Sequence, residues 1–175
     1  KNKKTAELLE ACLKQIKVPL ILDADALNLI AANNFHSLLP KNSLLTPHER
    51  EFERLFGSTD NADKALDLQL EASEKFGIYI LRKGAYSKLS SPEGTLIVNS
   101  TGNPGQAKGG NGDVLTGCIL GLAARTGNIE TAAVLGMYLQ GLAADLALID
   151  SHEESLLPSD CINMLPKAFA HLSKT

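Results

Sequence analysis

Apolar positions along this chain change period several times, and each change marks an element. Over residues 4–16, Leu8, Leu9, Cys12, Leu13 and Ile16 recur at helical spacing with Lys and Glu between them, which predicts an amphipathic helix. The run Val18-Pro19-Leu20-Ile21-Leu22 is nearly all apolar and leads into Asp23-Ala24-Asp25, the pattern of a strand covered on both faces. A helix is expected over 25–33, with Asp25 as its N-cap. Ser43-Leu44-Leu45-Thr46 reads as a second strand stopped by Pro47. Helices over 48–56 and 61–76 follow, closed by Gly57 and Gly77. Ile78-Tyr79-Ile80-Leu81 is a third buried strand, running into Arg82-Lys83-Gly84. Residues 87–90 and 95–98, joined by Ser91-Pro92-Glu93-Gly94, predict an antiparallel hairpin. A glycine-rich stretch over 100–117 then opens a helix whose apolar face is Val114, Leu115, Cys118, Ile119 and Leu122. Two more helices are predicted, an alanine-rich one over 128–149 and a last one from Pro158 to about residue 172. Gly117, Gly121, Gly136 and Gly141 lie inside helices and lower their propensity, so close helix packing is the expected reason for them.

Strands alternating with helices imply an α/β fold, a mostly parallel sheet with helices on both faces and the hairpin at its edge. In such folds ligands bind beyond the carboxyl ends of the strands. Asp23, Asp25, the stretch Thr46 to His48, Lys83, Gly84 and the glycine loop all follow strands and are expected on one rim. A length of 175 residues favours a single domain over 1–175. The chain opens directly on a crossover helix and supplies few parallel strands, so the domain is expected to be partial, truncated at its N-terminal side.

Composition adds mainly exclusions. Hydrophobic residues at 44% and charged residues at 21% are ordinary for a globular protein, and a net charge of -3 offers nucleic acid no electrostatic footprint. No apolar run is long enough to span a membrane, which favours a cytoplasmic chain without a membrane partner. Cys12, Cys118 and Cys161 form no C-x-x-C pair and read as buried, reduced thiols. His36, His48, His152 and His171 are scattered and form no metal-binding pair.

The glycine loop carries the chemistry. Five glycines fall between 102 and 112, and the loop feeds a helix N-terminus, where unpaired N–H groups and the positive end of the dipole favour an anion. It is neither standard phosphate motif, because Asn111 follows Gly110 where a Walker loop has lysine, and no G-x-G-x-x-G opens a helix after a strand. Gly109, Gly110, Asn111 and Gly112 are the candidate anion cradle, and Asp113 is either the helix cap or a base beside bound phosphate. Lys83-Gly84-Ala85-Tyr86-Ser87 is either a surface turn or an ammonium, amides and a hydroxyl set around a nucleotide phosphate. His48, fixed behind Thr46-Pro47, is favoured as a site residue, whereas Glu49 and Glu51 are expected to be solvated first-turn residues. Asp23 and Asp25 either organise Mg²⁺ through water or serve as caps and turn residues.

With these motifs in hand, the chain resembles the ADP/ATP-dependent NAD(P)H-hydrate dehydratases of the ribokinase-like superfamily. Residues 102–117 follow the family loop G-N-P-G-M-A-T-G-G-T-G-D-V-L-T-G, with Gln106, Lys108 and Asn111 departing from it. Residues 45–52 are similar to L-T-P-H-P-G-E-F, 23–28 to D-A-D-A-L-N, and 83–87 to K-G-A-x-T with Ser87 for Thr. The resemblance implies a three-layer ribokinase-like fold and a nicotinamide-cofactor repair reaction. In that reaction the S epimer of hydrated NADH or NADPH is dehydrated, coupled to hydrolysis of ADP or ATP, with Mg²⁺. It implies that His48 and Asp113 contact the hydrate, with Asp113 the catalytic base. Lys83, Gly84, Ala85, Tyr86, Ser87 and Gly112 would contact the adenine nucleotide. The partners implied are these small molecules and an NAD(P)H-hydrate epimerase, fused or separate; a homo-oligomer through the alanine-rich helices stays open. The alternatives are a ribokinase-like small-molecule kinase, such as a vitamin-precursor kinase, and a non-catalytic nucleotide-binding fragment.

Overall fold

The computed structural model describes residues 3–172. They divide into two compact units, one of residues 3–84 with 88–97, the other of residues 85–87 with 98–172.

The first unit contains helices α1 (Lys3–Gln15), α2 (Asp25–Asn33), α3 (Glu49–Phe56) and α4 (Ala62–Phe76). Its open sheet runs in the order β1 (Ile21–Leu22), β2 (Leu44–Leu45), β3 (Tyr79–Arg82), β4 (Lys88–Ser90), β5 (Leu96–Val98). The first three strands are parallel, with Leu22 opposite Leu45 and Leu45 opposite Ile80, and β4 turns antiparallel to β3. The mixed, mostly parallel sheet expected from the pattern is therefore present. β1 is shorter than its apolar run over 18–22, where Pro19 has no N–H to give a ladder. The pairing nonetheless continues past the strand ends: Leu44 donates to the Leu20 carbonyl at 2.8 Å, and Thr46 to Leu22 at 3.1 Å.

Leu27, Ile30, Leu45, Phe52, Leu55, Ile78 and Ile80 fill the core of this unit, all nearly or fully buried. Burying each large apolar side chain contributes about 1.5–3 kcal/mol, which is what holds strands of two residues in a sheet. Polar groups lock the register: buried Gln69 on α4 donates through Nε2 to the carbonyls of Ile80 (2.9 Å) and Lys88 (3.0 Å), so one side chain bridges β3 and β4. The hydroxyls of Ser73 and Ser90 meet at 2.6 Å beside it. His36 packs between Phe56 and Phe76, with ring centroids 5.7 and 5.4 Å away, and donates from Nε2 to the Leu55 carbonyl at 2.9 Å. Burial lowers its pKa below the ordinary value of 6.5.

The second unit contains α5 (Asn111–Thr126), α6 (Ile129–Ala147) and α7 (Pro158–Leu172). Leu115, Ile119 and Leu122 bury one face of α5. Gly136 lets α6 approach α5, since a Cβ there would lie 2.5 Å from Ile119 Cγ1 and 3.4 Å from its Cα. The other three helix glycines depart from the expectation of close helix packing. Gly141 meets Thr101, a loop residue, while Gly117 and Gly121 face open space. The three cysteines are free, but only Cys161 is fully buried; Cys12 and Cys118 are half-buried. Burial pushes the Cys118 and Cys161 thiols up, so neither is poised as a nucleophile. Among the described residues no helix is long and apolar enough to cross a membrane.

These contrasts generate two predictions. Gly121→Ala, in open space, should stabilise the protein by about 0.5–1 kcal/mol, whereas Gly136→Ala should destabilise it by about 1–3 kcal/mol through overpacking against Ile119; urea unfolding of both variants checks the opposite signs. His36 carries a lowered folded-state pKa, so its contribution is present above pH 6.5 and lost as pH falls through the folded value. The melting temperature should therefore drop below pH 6.5, and His36→Leu should flatten that part of the profile.

Candidate functional site

The parallel register of the first unit brings three sequence-predicted residues to one edge. Asp23 follows β1, His48 follows β2 and Lys83 follows β3. His48 and Lys83 are paired as an isolated parallel bridge, and the Lys83 N–H donates to the Pro47 carbonyl at 2.8 Å. The Lys83 ammonium donates to Asp23 Oδ1 at 2.7 Å, with both side chains largely buried. The same Asp23 oxygen accepts the Ala24 N–H at 2.8 Å. Ala24 itself sits at φ 53°, ψ -123°, a strained conformation for a residue with a Cβ, held by the sheet before it and α2 after it. Asp25 does not cap α2 as expected. Ala24 takes the cap position and no side chain caps the helix, so Asp25 is the exposed first helical residue.

His48 is the N-cap of α3 and shares a capping box with Glu51. Its Nδ1 accepts the Glu51 N–H at 3.3 Å, and the Glu51 carboxylate accepts the His48 N–H at 2.9 Å. Glu51 Oε1 also lies 3.5 Å from His48 Nε2. The Glu51 side chain is only 6% exposed and that of His48 52%, so a buried carboxylate carries an accessible imidazole. Glu51 is thus not the solvated residue expected. The H-x-x-E spacing of a capping box was its available signal. Glu49 is exposed as expected and lies 3.7 Å from Arg82.

The stretch Lys83 to Ser87 runs from the first unit into the second. Gly84, Ala85 and Tyr86 are exposed and Ser87 is half-buried. Tyr86 has φ 54°, so this loop also holds a side chain in a left-handed conformation.

In the second unit the glycine loop is laid along α6. Asn99 donates to the Met137 carbonyl at 3.2 Å, and the Thr101 hydroxyl to the Tyr138 carbonyl at 2.9 Å. Gly102, at φ 101°, gives its N–H to Asp145 Oδ2 at 2.8 Å, while Asn103 Nδ2 reaches Asp145 Oδ1 at 2.9 Å. At the far end of the loop, buried Gln140 donates to the Asn111 carbonyl at 3.0 Å, and Asn111 Nδ2 donates back to Gln106 at 3.0 Å. One helix therefore fixes both ends. Gly110, at φ 97°, is the cap residue of α5 and supplies no side-chain cap. Asp113 is exposed in the first turn, two residues into the helix, so the reading of it as the N-cap is replaced. Gly109, exposed, has open space around it, as an approach by a ligand to backbone requires.

Asp145 and Gln140 were not singled out from the sequence, and Glu51 was expected only as a solvated first-turn residue. The first two are polar positions inside an alanine-rich helix, and a polar residue at a buried helical position was the signal for Gln140. Among the described residues no group of three or more His, Cys, Asp or Glu could hold a metal. A nucleotide-borne Mg²⁺ needs only one or two protein carboxylates, with phosphate oxygens and water completing its shell.

A family model described as NAD(P)H-hydrate dehydratase matches residues 1–167, across both units. The chain is 37% identical over 175 residues to the bifunctional NAD(P)H-hydrate repair enzyme Nnr of Moorella thermoacetica, covering 97% of this chain and 33% of that protein. The chain thus spans about a third of the length of that curated relative. Among solved structures, the ADP/ATP-dependent NAD(P)H-hydrate dehydratase of Bacillus subtilis, co-crystallised with ATP and Mg²⁺ and soaked with CoA, matches with a TM-score of 0.78 at 29% identity. That match covers 90% of this chain and 58% of the other. A ribokinase-like superfamily protein from Enterococcus faecalis matches with a TM-score of 0.80 at 30% identity, over 95% of this chain and 58% of the other, which bears out the ribokinase-like fold. On the family match over nearly its whole length, this chain belongs to the NAD(P)H-hydrate dehydratase family.

Proposed function

We propose that this chain carries the dehydratase chemistry of its family, restoring NADH or NADPH from the S-hydrated form at the expense of ADP or ATP. The observation that supports it most is the glycine loop, anchored at both ends to α6 and presenting backbone N–H groups at the mouth of α5 with Asp113 in its first turn. Asp113 is the base: its carboxylate takes the proton from the ring hydroxyl as that oxygen attacks the terminal phosphoryl group of the nucleotide. The amides of Gly109, Gly110 and Gly112 bind the transferring phosphoryl oxygens, where charge concentrates, while the Asn111 N–H, also expected in this cradle, is donated to the Lys108 carbonyl at 3.4 Å. The phosphorylated hydroxyl then leaves as phosphate with loss of a ring proton, and the dihydropyridine is restored. Mg²⁺, when bound, neutralises charge on the phosphates.

His48 binds the hydrate through an imidazole held in place by Glu51, and Lys83, Gly84, Ala85, Tyr86 and Ser87 bind the adenine nucleotide. Lys83 acts as half of an ion pair with Asp23, which holds the start of its loop. In this reading residues 1–175 form part of one family domain in a cytoplasmic protein, working with an NAD(P)H-hydrate epimerase. Self-association would run through the alanine- and glycine-bearing helices.

Two outcomes check the proposal. The natural protein with ADP and Mg²⁺ should convert hydrated NADH to NADH, followed by its near-ultraviolet absorbance; no recovery with either ADP or ATP sinks the reading. Asp113→Asn should lower kcat by about 10²–10⁴-fold while AMP binding, measured by calorimetry, stays near wild type.

A further inference from the structure

Lys108 departs from the family loop, and its place in the sequence suggests one more cation for the anion cradle. The structure turns it the other way. Its Nζ donates to three backbone carbonyls, those of Glu153 at 3.1 Å, Glu154 at 2.6 Å and Leu156 at 2.9 Å. An ammonium has three N–H donors, so all of them are used and none is left for a phosphate. The three carbonyls converge because Glu153 and Glu154 lie in a single 3-10 turn, Glu153–Ser155, that Leu156 follows directly; the Glu153 carbonyl also accepts the Leu156 N–H at 3.4 Å.

The same segment touches the glycine loop on both sides of Lys108. A Cβ on Gly105 would lie 2.9 Å from the Glu153 carbonyl oxygen and 3.0 Å from Leu156 Cδ2. A Cβ on Gly110 would lie 3.1 Å from Pro158 Cγ. Residues 153–158 are therefore a brace along the loop, and the ammonium is the charged link between brace and loop. Gly109 lies between two braced positions.

We propose that Lys108 is a positioning residue: its ammonium acts as a tethered internal cation that fixes the glycine loop from behind, without touching the ligand. Its catalytic consequence rests on the dehydratase reading, whereas its effect on the loop does not.

A cavity variant with chemical rescue tests this. In Lys108→Ala the three carbonyls lose their donor, so hydrogen exchange of the amides over 105–113, read by mass spectrometry, should rise at least severalfold. Ammonium chloride should return it towards wild type, whereas tetramethylammonium chloride at equal ionic strength, which has no N–H to donate, should not. In turnover, Lys108→Ala should lose about 100-fold in kcat/KM, the effect expected of misplaced reacting groups, with ammonium recovering most of it. Lys108→Met, which keeps the stem but leaves no cavity, should show the loss without the rescue. Unchanged exchange in Lys108→Ala, exchange that ammonium does not restore, or a variant unfolded in both salts each overturns the proposal. A wild type that does not turn over overturns the dehydratase reading alone, since the exchange measurement still judges Lys108.

Discussion

The carboxylate of Asp145 is the constraint on which the course of the second unit's glycine loop depends. A loop containing five glycines within eleven residues has little conformational preference of its own, because glycine visits positive and negative φ almost equally. Such a chain presents amides to one place only if something outside it removes that freedom. Asp145 does so at the loop's start by taking the Gly102 N–H and the Asn103 amide together, and Gln140 does so at its end through the Asn111 carbonyl. The absence of a side chain at Gly141 lets Thr101 lie against α6, close enough for its hydroxyl to reach the Tyr138 carbonyl. The rigidity of the loop, which the proposed anion site would use, is thus borrowed from α6.

The first unit solves a similar problem with a sheet. Parallel pairing of two-residue strands sets Asp23, His48 and Lys83 at corresponding ends, and the ladder bonds beyond the strands carry that register into the loops. The Asp23–Lys83 pair is largely buried, so each charge depends on the other, and breaking one leaves an uncompensated charge. The cost of holding Ala24 at positive φ, on the order of 1–3 kcal/mol, is met between that pair and the helix that follows. Glu51 does for His48 what Asp145 does for the loop, fixing a group it does not replace.

Elements were legible wherever periodicity was long. α4, α6 and α7 begin and end within two residues of where apolar spacing places them, and the apolar face expected after the glycine loop lies inside α5. Strand lengths were not legible, because a continuous apolar run reports burial rather than pairing, and Pro19 ends the ladder inside one. The glycines divide for a physical reason. At Gly136 and Gly141 a neighbouring element approaches, and at Gly117 and Gly121 none does, a difference that depends on tertiary packing and leaves no trace in local spacing. The glycine loop, His48, Lys83 and Asp113 stood out as candidates because their residue types fall in motifs at strand ends and at a helix start. Their supports did not, since Asp145 lies 43 residues from Gly102 and Gln140 lies 29 residues from Asn111, and nothing local announces such partners.

Asp113 shows how the two kinds of information combine. The sequence alone allows it to be a cap, a base, or both. Capping is a demand on one residue with non-helical backbone, and here Gly110 meets it at φ 97°, a conformation in which aspartate would be strained. The helix therefore starts at Asn111, two residues before Asp113, with no cap bond from the Asp113 carboxylate. A carboxylate in the first turn still complements the dipole, but that requires only charge, not a particular hydrogen bond. With the cap position taken by Gly110, the Asp113 carboxylate is not committed to a capping hydrogen bond, which is compatible with its proposed role as base.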